Sequence, residues 1–171
     1  EMERLDVGEN YDLPGETNRY RYQARGITAV ISPWNFPLAI PCGMVVASLV
    51  AGNCTLLKPA ETAAIVGAKF TEILVAAGIP PGVFQYLPGI GAEIGSYLVK
   101  HPDVHTIAFT GSQAVGCQIY ADAAILQPGQ KHLKRVIADM GGKNAIIVDE
   151  SADLDRAVGR AFRKRQRVRP G

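Results

Sequence analysis

From residue 26 onward, short apolar runs alternate with longer segments in which apolar residues recur at helical spacing. The apolar runs predict strands at 27–31, 54–57, 83–87, 105–109, 136–138 and 145–148. The longer segments predict helices at 38–50, 62–77, 92–100 and 113–124, and another helix begins after residue 153. Strands that alternate with helices are typical of parallel βαβ units. We therefore predict an α/β fold in which a parallel sheet carries helices on both faces.

The helix predicted at 62–77 has the clearest pattern, and Gly78 followed by Pro80 is a signal that ends it. We expect its apolar face to pack on the sheet. The residues of that face are Val66, Phe70, Ile73, Leu74 and Ala77.

Composition divides the chain into three parts. Residues 1–24 are polar, and tyrosines alternate with arginines near their end, which predicts an N-terminal edge-strand segment leading into the first buried strand. Residues 25–162 are expected to form one α/β domain. Residues 163–171 form a basic tail with five Arg or Lys residues, which we expect to be disordered. A frameshift or cloning artefact would produce such a tail, and a nucleic-acid-binding tail is the alternative, which the mildly acidic remainder of the chain disfavours.

Length and composition exclude several classes of protein. With 171 residues and 47% hydrophobic content, the chain can build one core. The longest apolar stretch, 38–51, is interrupted by Pro41, Gly43 and Ser48, so no membrane span and no membrane partner are predicted. Three cysteines without metal-ligand spacing predict buried thiols, no metal site and a cytoplasmic location.

The segment 32–37, with the sequence SPWNFP, places an amide side chain between two prolines directly after a predicted strand. Each proline restricts the backbone around it, so Asn35 is expected to be held in a defined position. A preorganised Asn amide can stabilise an oxyanion, which contributes about 10²–10³ in rate in hydrolases. The alternative is an Asn that caps a helix or forms a turn.

Polar and glycine-rich motifs follow the next three strands. Residues 58–61 (KPAE) place a cation and a carboxylate where open α/β sheets bind ligands, although a solvated ion pair is the alternative. Residues 89–95 (GIGAEIG) place glycines at the start of a helix, where free backbone amides suit an anionic ligand. Tight packing of the helix on the sheet is the alternative. In residues 109–112 (FTGS), Ser112 is either a ligand or a helix N-cap. Three such sites in one sheet predict a dinucleotide cofactor.

A fifth constellation, residues 139–144 (DMGGKN), begins with a carboxylate at the end of a predicted strand. Asp139 could act as a general base toward water. An aspartate that starts a turn before two glycines is the alternative.

Four of these segments together resemble the ordered signature of the aldehyde dehydrogenase superfamily. They are residues 33–37 (PWNFP), 58–61 (KPAE), 109–112 (FTGS) and 140–143 (MGGK). Residues 127–138 are similar to the insertion that marks the Δ1-pyrroline-5-carboxylate (glutamate semialdehyde) dehydrogenase branch. The resemblance covers the chain from about residue 3 to residue 162.

The resemblance implies a Rossmann-like NAD-binding domain and NAD(P)-dependent oxidation of a small aldehyde, which in this branch converts glutamate semialdehyde to glutamate in proline breakdown. NAD is the expected cofactor because Glu61 would repel the 2′-phosphate of NADP, yet the family contains members that accept both. Asn35 would hold the oxyanion that forms when a Cys thiolate attacks the aldehyde, and Asp139 would activate water. The implied cofactor-binding residues are Ser32, Pro33, Trp34, Lys58, Glu61, Gly91, Gly95, Phe109, Thr110, Gly111, Ser112 and Gly141. The resemblance also allows a homo-oligomer.

Two departures from the family pattern bear on catalysis. The general-base Glu of the family aligns with Asp139, which is one methylene shorter. The nucleophilic Cys of the family lies in a Gly-Gln-x-Cys segment well beyond that position, and none of Cys42, Cys54 and Cys117 matches it. We therefore expect a fragment truncated at both ends with negligible turnover, since loss of a nucleophile costs about 10⁶ in a well-studied hydrolase. A non-catalytic nucleotide-binding fragment and a poorly folding product are the alternatives.

Overall fold

The computed structural model describes residues 9–10, 12–142 and 147–159. Two short strands, β1 (Glu9–Asn10) and β2 (Arg19–Tyr20), pair antiparallel in a sheet of their own. The strand β2 lies within the segment 1–24 that was predicted to hold an edge strand, and it pairs with β1 rather than with the main sheet.

The main sheet has five strands, all parallel. They are β3 (Ile27–Ile31), β4 (Cys54–Lys58), β5 (Phe84–Tyr86), β6 (Val104–Gly111) and β7 (Arg135–Met140). Their order across the sheet is β5-β4-β3-β6-β7. The strand order thus reverses at β3, since the chain first builds outward through β4 and β5 and then continues on the other side of β3.

Four helices connect these strands: α1 (Ala39–Val50), α2 (Ala64–Ala76), α3 (Ser96–Lys100) and α4 (Gln113–Ala124). A 3₁₀ turn (Glu61–Ala63) precedes α2, and a π turn (Gly91–Gly95) precedes α3. Residues 1–140 form one compact unit and residues 141–171 another, and in the latter residues 154–159 are helical.

The core lies on both faces of the sheet because β3 is buried on both sides. Ala29 belongs to a cluster with residues of α3 and α4, among them Leu98 and Ile119. The next residue, Val30, points the other way and packs with residues of α1 and α2, among them Val45. The predicted α/β fold with helices on both faces is confirmed by this arrangement.

Most predicted elements are present, with bounds that differ by a few residues. The strand at 27–31 and the helix at 113–124 have the predicted bounds, whereas β7 is longer than predicted because it pairs with β6 over its full length. Of the strand predicted at 145–148, residues 145–146 lie outside the described residues and 147–148 are not in a strand.

Two predictions about burial are wrong. Cys54 and Cys117 are exposed and Cys42 is half-buried, because the side chains of Cys54 at the start of β4 and Cys117 on α4 lie outside the two core clusters. Of the residues predicted to form the apolar face of α2, only Phe70 and Leu74 are buried in the core, and Ile73 is exposed.

Among the described residues, no helix combines the length and the apolar character that crossing a membrane would require.

The neighbours Leu74 and Ile73 offer a test of which side of α2 faces the sheet. Leu74 is 7% exposed and Ile73 is 60% exposed. We expect Leu74→Ala to lower the free energy of unfolding by about 2–5 kcal/mol, because it leaves a cavity in the core. Ile73→Ala is expected to change it by less than about 0.5 kcal/mol. Urea denaturation followed by circular dichroism measures both, and equal losses would contradict the assigned face.

Candidate functional site

The loops that follow the parallel strands lie at one edge of the sheet, the carboxyl edge. In the pairing register, Ile31 at the end of β3 lies opposite Lys58 on one side and Phe109 on the other. The loops after β3 and β4 therefore begin at the same level, whereas β6 continues two residues farther, to Gly111. Open α/β sheets bind ligands at this edge where the strand order reverses, which here is the gap between β3 and β6.

Lys58, Glu61 and Gly91 come together at this edge. The Lys58 side chain is buried, and its Nζ lies 3.6 Å from Oε1 of Glu61, which is largely exposed. The Gly91 amide donates a hydrogen bond of 2.6 Å to the same Oε1. The carboxylate thus has one oxygen held by the protein, while its exposed position leaves the other within reach of a ligand.

The charge of Glu61 is stabilised by these contacts. The Gly91 amide, its own backbone amide and the nearby Lys58 ammonium hold the pKa of Glu61 below its ordinary value of 4.5. Because the folded-state pKa is lowered, this contribution to stability is fully present above about pH 4.5 and is lost as the pH falls through the folded-state value. Glu61 therefore presents a fixed negative charge at neutral pH.

The glycine turn at 91–95 differs from the expected anion site. The Gly91 amide is taken by Glu61, and the amides of Glu93 and Ile94 donate to the Ile90 carbonyl. An added Cβ at position 91 would lie 3.3 Å from Lys58 Nζ, a tight contact to which the lysine side chain would have to adjust. An anionic ligand at this turn would instead meet the Glu61 carboxylate, so the turn serves to position that carboxylate.

The end of β6 supplies a second part of the edge. The Phe109 side chain lies in the core, so only its backbone is available to a ligand. Thr110 Oγ1 lies 3.9 Å from the sulfur of Met44 on α1, and Gly111 is half-buried. Ser112 is the N-cap of α4, where its hydroxyl accepts a hydrogen bond from the Val115 amide. The N-cap alternative for Ser112 is therefore realised in the fold.

The loop after β3 is tied to the end of β4. The Ser32 amide donates to the Lys58 carbonyl at 3.2 Å, and the Ala60 amide donates to the Ser32 carbonyl at 3.1 Å. Ser32 is 5% exposed, and within the described part of the chain its Oγ has no hydrogen-bond partner. Pro33 is half-buried, whereas Trp34 and Asn35 are exposed. A buried hydroxyl without a partner is unusual in a folded protein and marks a place where a ligand or water belongs.

Asp139 lies near the end of β7, directly opposite Thr110 of β6, and its side chain is exposed. It thus stands at the same edge as the other predicted site residues of the first unit. Gly141 belongs to the second unit, where it is exposed. Among the described residues, no group of three or more metal-ligating side chains is close enough to hold a metal ion.

The carboxyl edge includes two contacts that the motifs did not reveal. Met44 on α1 contacts Thr110 at the end of β6. The Gly91 amide donates a hydrogen bond to the Glu61 carboxylate. The helical spacing of α1 gave no signal for Met44, because a methionine on an apolar helix face is indistinguishable from any other core residue. The glycine at the start of the 91–95 turn was the only sequence signal for the second contact.

The chain belongs to the aldehyde dehydrogenase family, whose sequence profile matches residues 1–167. This confirms the resemblance seen in the four motifs. The carboxyl edge just described therefore belongs to the fold of an oxidoreductase family.

Similar proteins narrow the likeness to one branch of the family. The chain is 59% identical to 1-pyrroline-5-carboxylate dehydrogenase of Bacillus subtilis over 144 residues, which are 84% of this chain and 28% of that protein. It superimposes on the crystal structure of 1-pyrroline-5-carboxylate dehydrogenase from Thermus with bound NAD, with a TM-score of 0.84 and 51% identity, over 91% of this chain and 30% of that one. Proline utilization A from Bdellovibrio bacteriovorus gives a TM-score of 0.82 at 51% identity, over 91% of this chain and 16% of that one. The chain thus spans less than a third of these relatives.

The lowered pKa of Glu61 can be tested by carbon-detected NMR titration of its carboxyl group. We expect Lys58→Met to raise the pKa of Glu61, because the nearby ammonium is removed, but to leave it below 4.5, because the Gly91 amide still donates to the carboxylate. Lys69→Met is the matched control, since Lys69 pairs with Glu72 on the exposed side of α2. A Glu61 pKa at its ordinary value in the unsubstituted chain would show that the contact with Gly91 does not form.

Proposed function

We propose that residues 25–162 form the NAD-binding part of a 1-pyrroline-5-carboxylate dehydrogenase, which oxidises glutamate semialdehyde to glutamate. The observation that carries this proposal is the Lys58–Glu61–Gly91 cluster at the carboxyl edge of the sheet. The identity of 59% to the Bacillus subtilis enzyme supports the choice of substrate. In this proposal residues 1–24 are an N-terminal segment outside the domain, and residues 163–171 are a basic tail that takes no part in binding.

The residues at the carboxyl edge fit NAD. The exposed oxygen of Glu61 can accept hydrogen bonds from the two hydroxyls of the adenosine ribose, and the Lys58 ammonium can donate to the same sugar. Within the described residues, no hydrogen bond engages the Gln113 and Ala114 amides at the start of α4, which suit a pyrophosphate. Gly95 is buried, although an added Cβ at this position would meet no atom within 4 Å.

NAD supplies a hydride acceptor, and the residues of the chain bind and orient it. Glu61 also favours NAD over NADP, because its negative charge would repel a 2′-phosphate. NADP remains the alternative cofactor.

The catalytic roles follow from the same proposal. Asn35 would donate its amide to the oxyanion of the reacting aldehyde, which its exposed position after β3 permits. Asp139 would accept a proton from the attacking water. The three cysteines lie in α1, β4 and α4 and not in the carboxyl-edge loops, so we expect the polypeptide of 171 residues to bind NAD without turnover. Three free thiols are consistent with a cytoplasmic location.

Isothermal titration calorimetry of the polypeptide with NAD tests the cofactor assignment. We expect Glu61→Ala to weaken NAD binding by roughly tenfold, since two hydrogen bonds to the ribose are lost. Glu61→Gln is expected to reduce the ratio of NAD affinity to NADP affinity. The negative charge that repels the 2′-phosphate is removed, while the side-chain carbonyl still accepts a hydrogen bond from the ribose.

Glu72→Ala is the matched control for this titration. Glu72 is an exposed glutamate on α2 that pairs with Lys69, away from the carboxyl edge, and its loss should leave NAD affinity unchanged. Equal effects of Glu61→Ala and Glu72→Ala would refute the cofactor assignment. The cofactor assignment would also be refuted if NAD gave no heat of binding with any variant while circular dichroism showed that the chain is folded.

The role of Asn35 can be measured in a chimera in which the matched residues of this chain replace those of the Bacillus subtilis relative. We expect Asn35→Ala to lower kcat by about 10²–10³, because an oxyanion donor is removed. Asp139→Glu in the same chimera is expected to raise kcat, since the longer side chain reaches the water better. Gln118→Ala on the exposed side of α4 serves as the control. If Asn35→Ala retains the kcat of the chimera, Asn35 is a turn residue.

A further inference from the structure

Residues 127–134, here called the strap, cross the amino edge of the sheet, which is opposite the edge that carries Glu61. Gln127 and Gln130 close a turn at its start. Farther along, Arg25 donates to the Leu133 carbonyl at 3.4 Å, and Lys134 Nζ donates to the Val99 carbonyl near the end of α3 at 2.6 Å. The strap then continues directly into β7 at residue 135.

His105 of β6 has an irregular position beneath the strap. Ile27 pairs with Val104 and Thr28 with Thr106, so His105 is an extra residue that forms a β-bulge between β6 and β3. Bulges redirect side chains, and here the Ile27 amide donates to Nδ1 of the His105 ring at 3.2 Å. Gly26, with φ of 122°, makes room for the ring, because an added Cβ would lie 2.7 Å from it.

His132 of the strap lies flat on this ring. The two ring centroids are 3.7 Å apart and the ring planes differ by 10°. His132 Nε2 lies 3.1 Å from the Val104 carbonyl, which can only accept, so Nε2 carries a proton and donates. His105 Nδ1 must be unprotonated, because it accepts from the Ile27 amide. The stack therefore requires a neutral His105.

We propose that His105 and His132 form a pH-sensitive clasp that holds the strap on the amino edge of the sheet at neutral pH and releases it in mildly acidic solution. A proton on Nδ1 of His105 removes the acceptor of the Ile27 amide. A positive charge on the His105 ring is also repelled by His132, which stacks on that ring. Both effects open the same contact.

The groups around the two rings agree with the direction of this switch. Burial disfavours the charged ring and, together with repulsion from His132 and Arg25, holds the pKa of His105 below its ordinary value of 6.5, although the backbone and carboxylate of Asp103 act in the opposite direction. The remaining charged groups on the strap and at the start of β7 are all cations: Lys131, Lys134 and Arg135. With the pKa of the closed state lowered, the clasp is fully stable above about pH 6.5 and weakens as the pH falls below that value.

Opening of the clasp changes the sheet at its edge. The strap fixes the first residue of β7, and β7 is paired on one side only, to β6, within the described residues. Release of the strap therefore frees the amino end of β7, while β3 and β6 remain held by the two core clusters. The switch is local, and the centre of the sheet does not take part.

Hydrogen exchange of the 171-residue polypeptide, corrected for intrinsic rates, tests the clasp at about pH 7.5 and about pH 5.5. We expect protection of the strap amides and of the Ile27 amide to fall by up to about tenfold for each pH unit below about 6.5, as one added proton requires. Protection of Val30 and Ile107 in the core is expected to stay constant, which separates clasp opening from global unfolding.

Three variants sharpen this test. His105→Asn keeps an acceptor for the Ile27 amide but cannot gain a charge, so protection should no longer depend on pH. His132→Ala should expose the strap at both pH values. His101→Gln is the control, since His101 contacts Tyr97 and the Asp103 amide outside the clasp, and it should keep the pH response. Strap protection that is equal at both pH values, or a response that persists in His105→Asn, would overturn the proposal.

A proton NMR titration of the histidine rings in the unsubstituted chain gives an answer even if the variants do not fold. We expect one ring to titrate below pH 6.5, because the closed clasp disfavours its charged form. Ring titrations that all lie at or above 6.5 would contradict the clasp.

Discussion

Strand β3 is paired on both edges and buried on both faces, and the rest of the structure depends on this position. Its two edges are taken by β4 and β6, so every loop of the carboxyl edge is placed relative to β3. Its two faces bury Ala29 and Val30 in separate clusters, each of which is covered by two helices. A shift of one residue along β3 would exchange the two clusters, which is why the register is fixed so firmly. The end of β4 is consequently held level with Ile31, and β6 extends two residues beyond that level.

At the carboxyl edge, the protein itself holds the Glu61 carboxylate in place. The Gly91 amide of the glycine turn donates to this carboxylate, so the turn presents a negative charge at the edge. The buried Lys58 keeps that charge in position from the other side. One oxygen of Glu61 is thereby immobilised, and less conformational entropy is lost when a ligand binds to the other. At the start of α4, within the described residues, the first two amides of the helix have no hydrogen-bond partner.

The sequence predicted those features that depend on neighbours along the chain. The strand 27–31 was evident because a strand buried on both faces is apolar without interruption, and Ser112 was recognised as an N-cap candidate because capping is a local contact. The choice between Ile73 and Leu74 on α2 was not predictable, since helical spacing allows either and only the sheet decides. The exposure of Cys117 was missed for the same reason. The stack of His105 on His132 joins distant parts of the chain, and nothing in either local sequence points to the other ring.

The order of strands in the sheet also has a meaning for synthesis on the ribosome. Of the strands of the main sheet, β3 is made first. It can pair with β4, and β4 with β5, as soon as these strands emerge, but the second edge of β3 and the face that carries Ala29 remain open until β6 appears. A nascent chain therefore passes through a stage in which half of a sheet displays an unpaired central strand to the cell. Such an edge is a site for pairing with another chain. The exposure ends only when β6 has emerged from the ribosome and has paired with the open edge of β3.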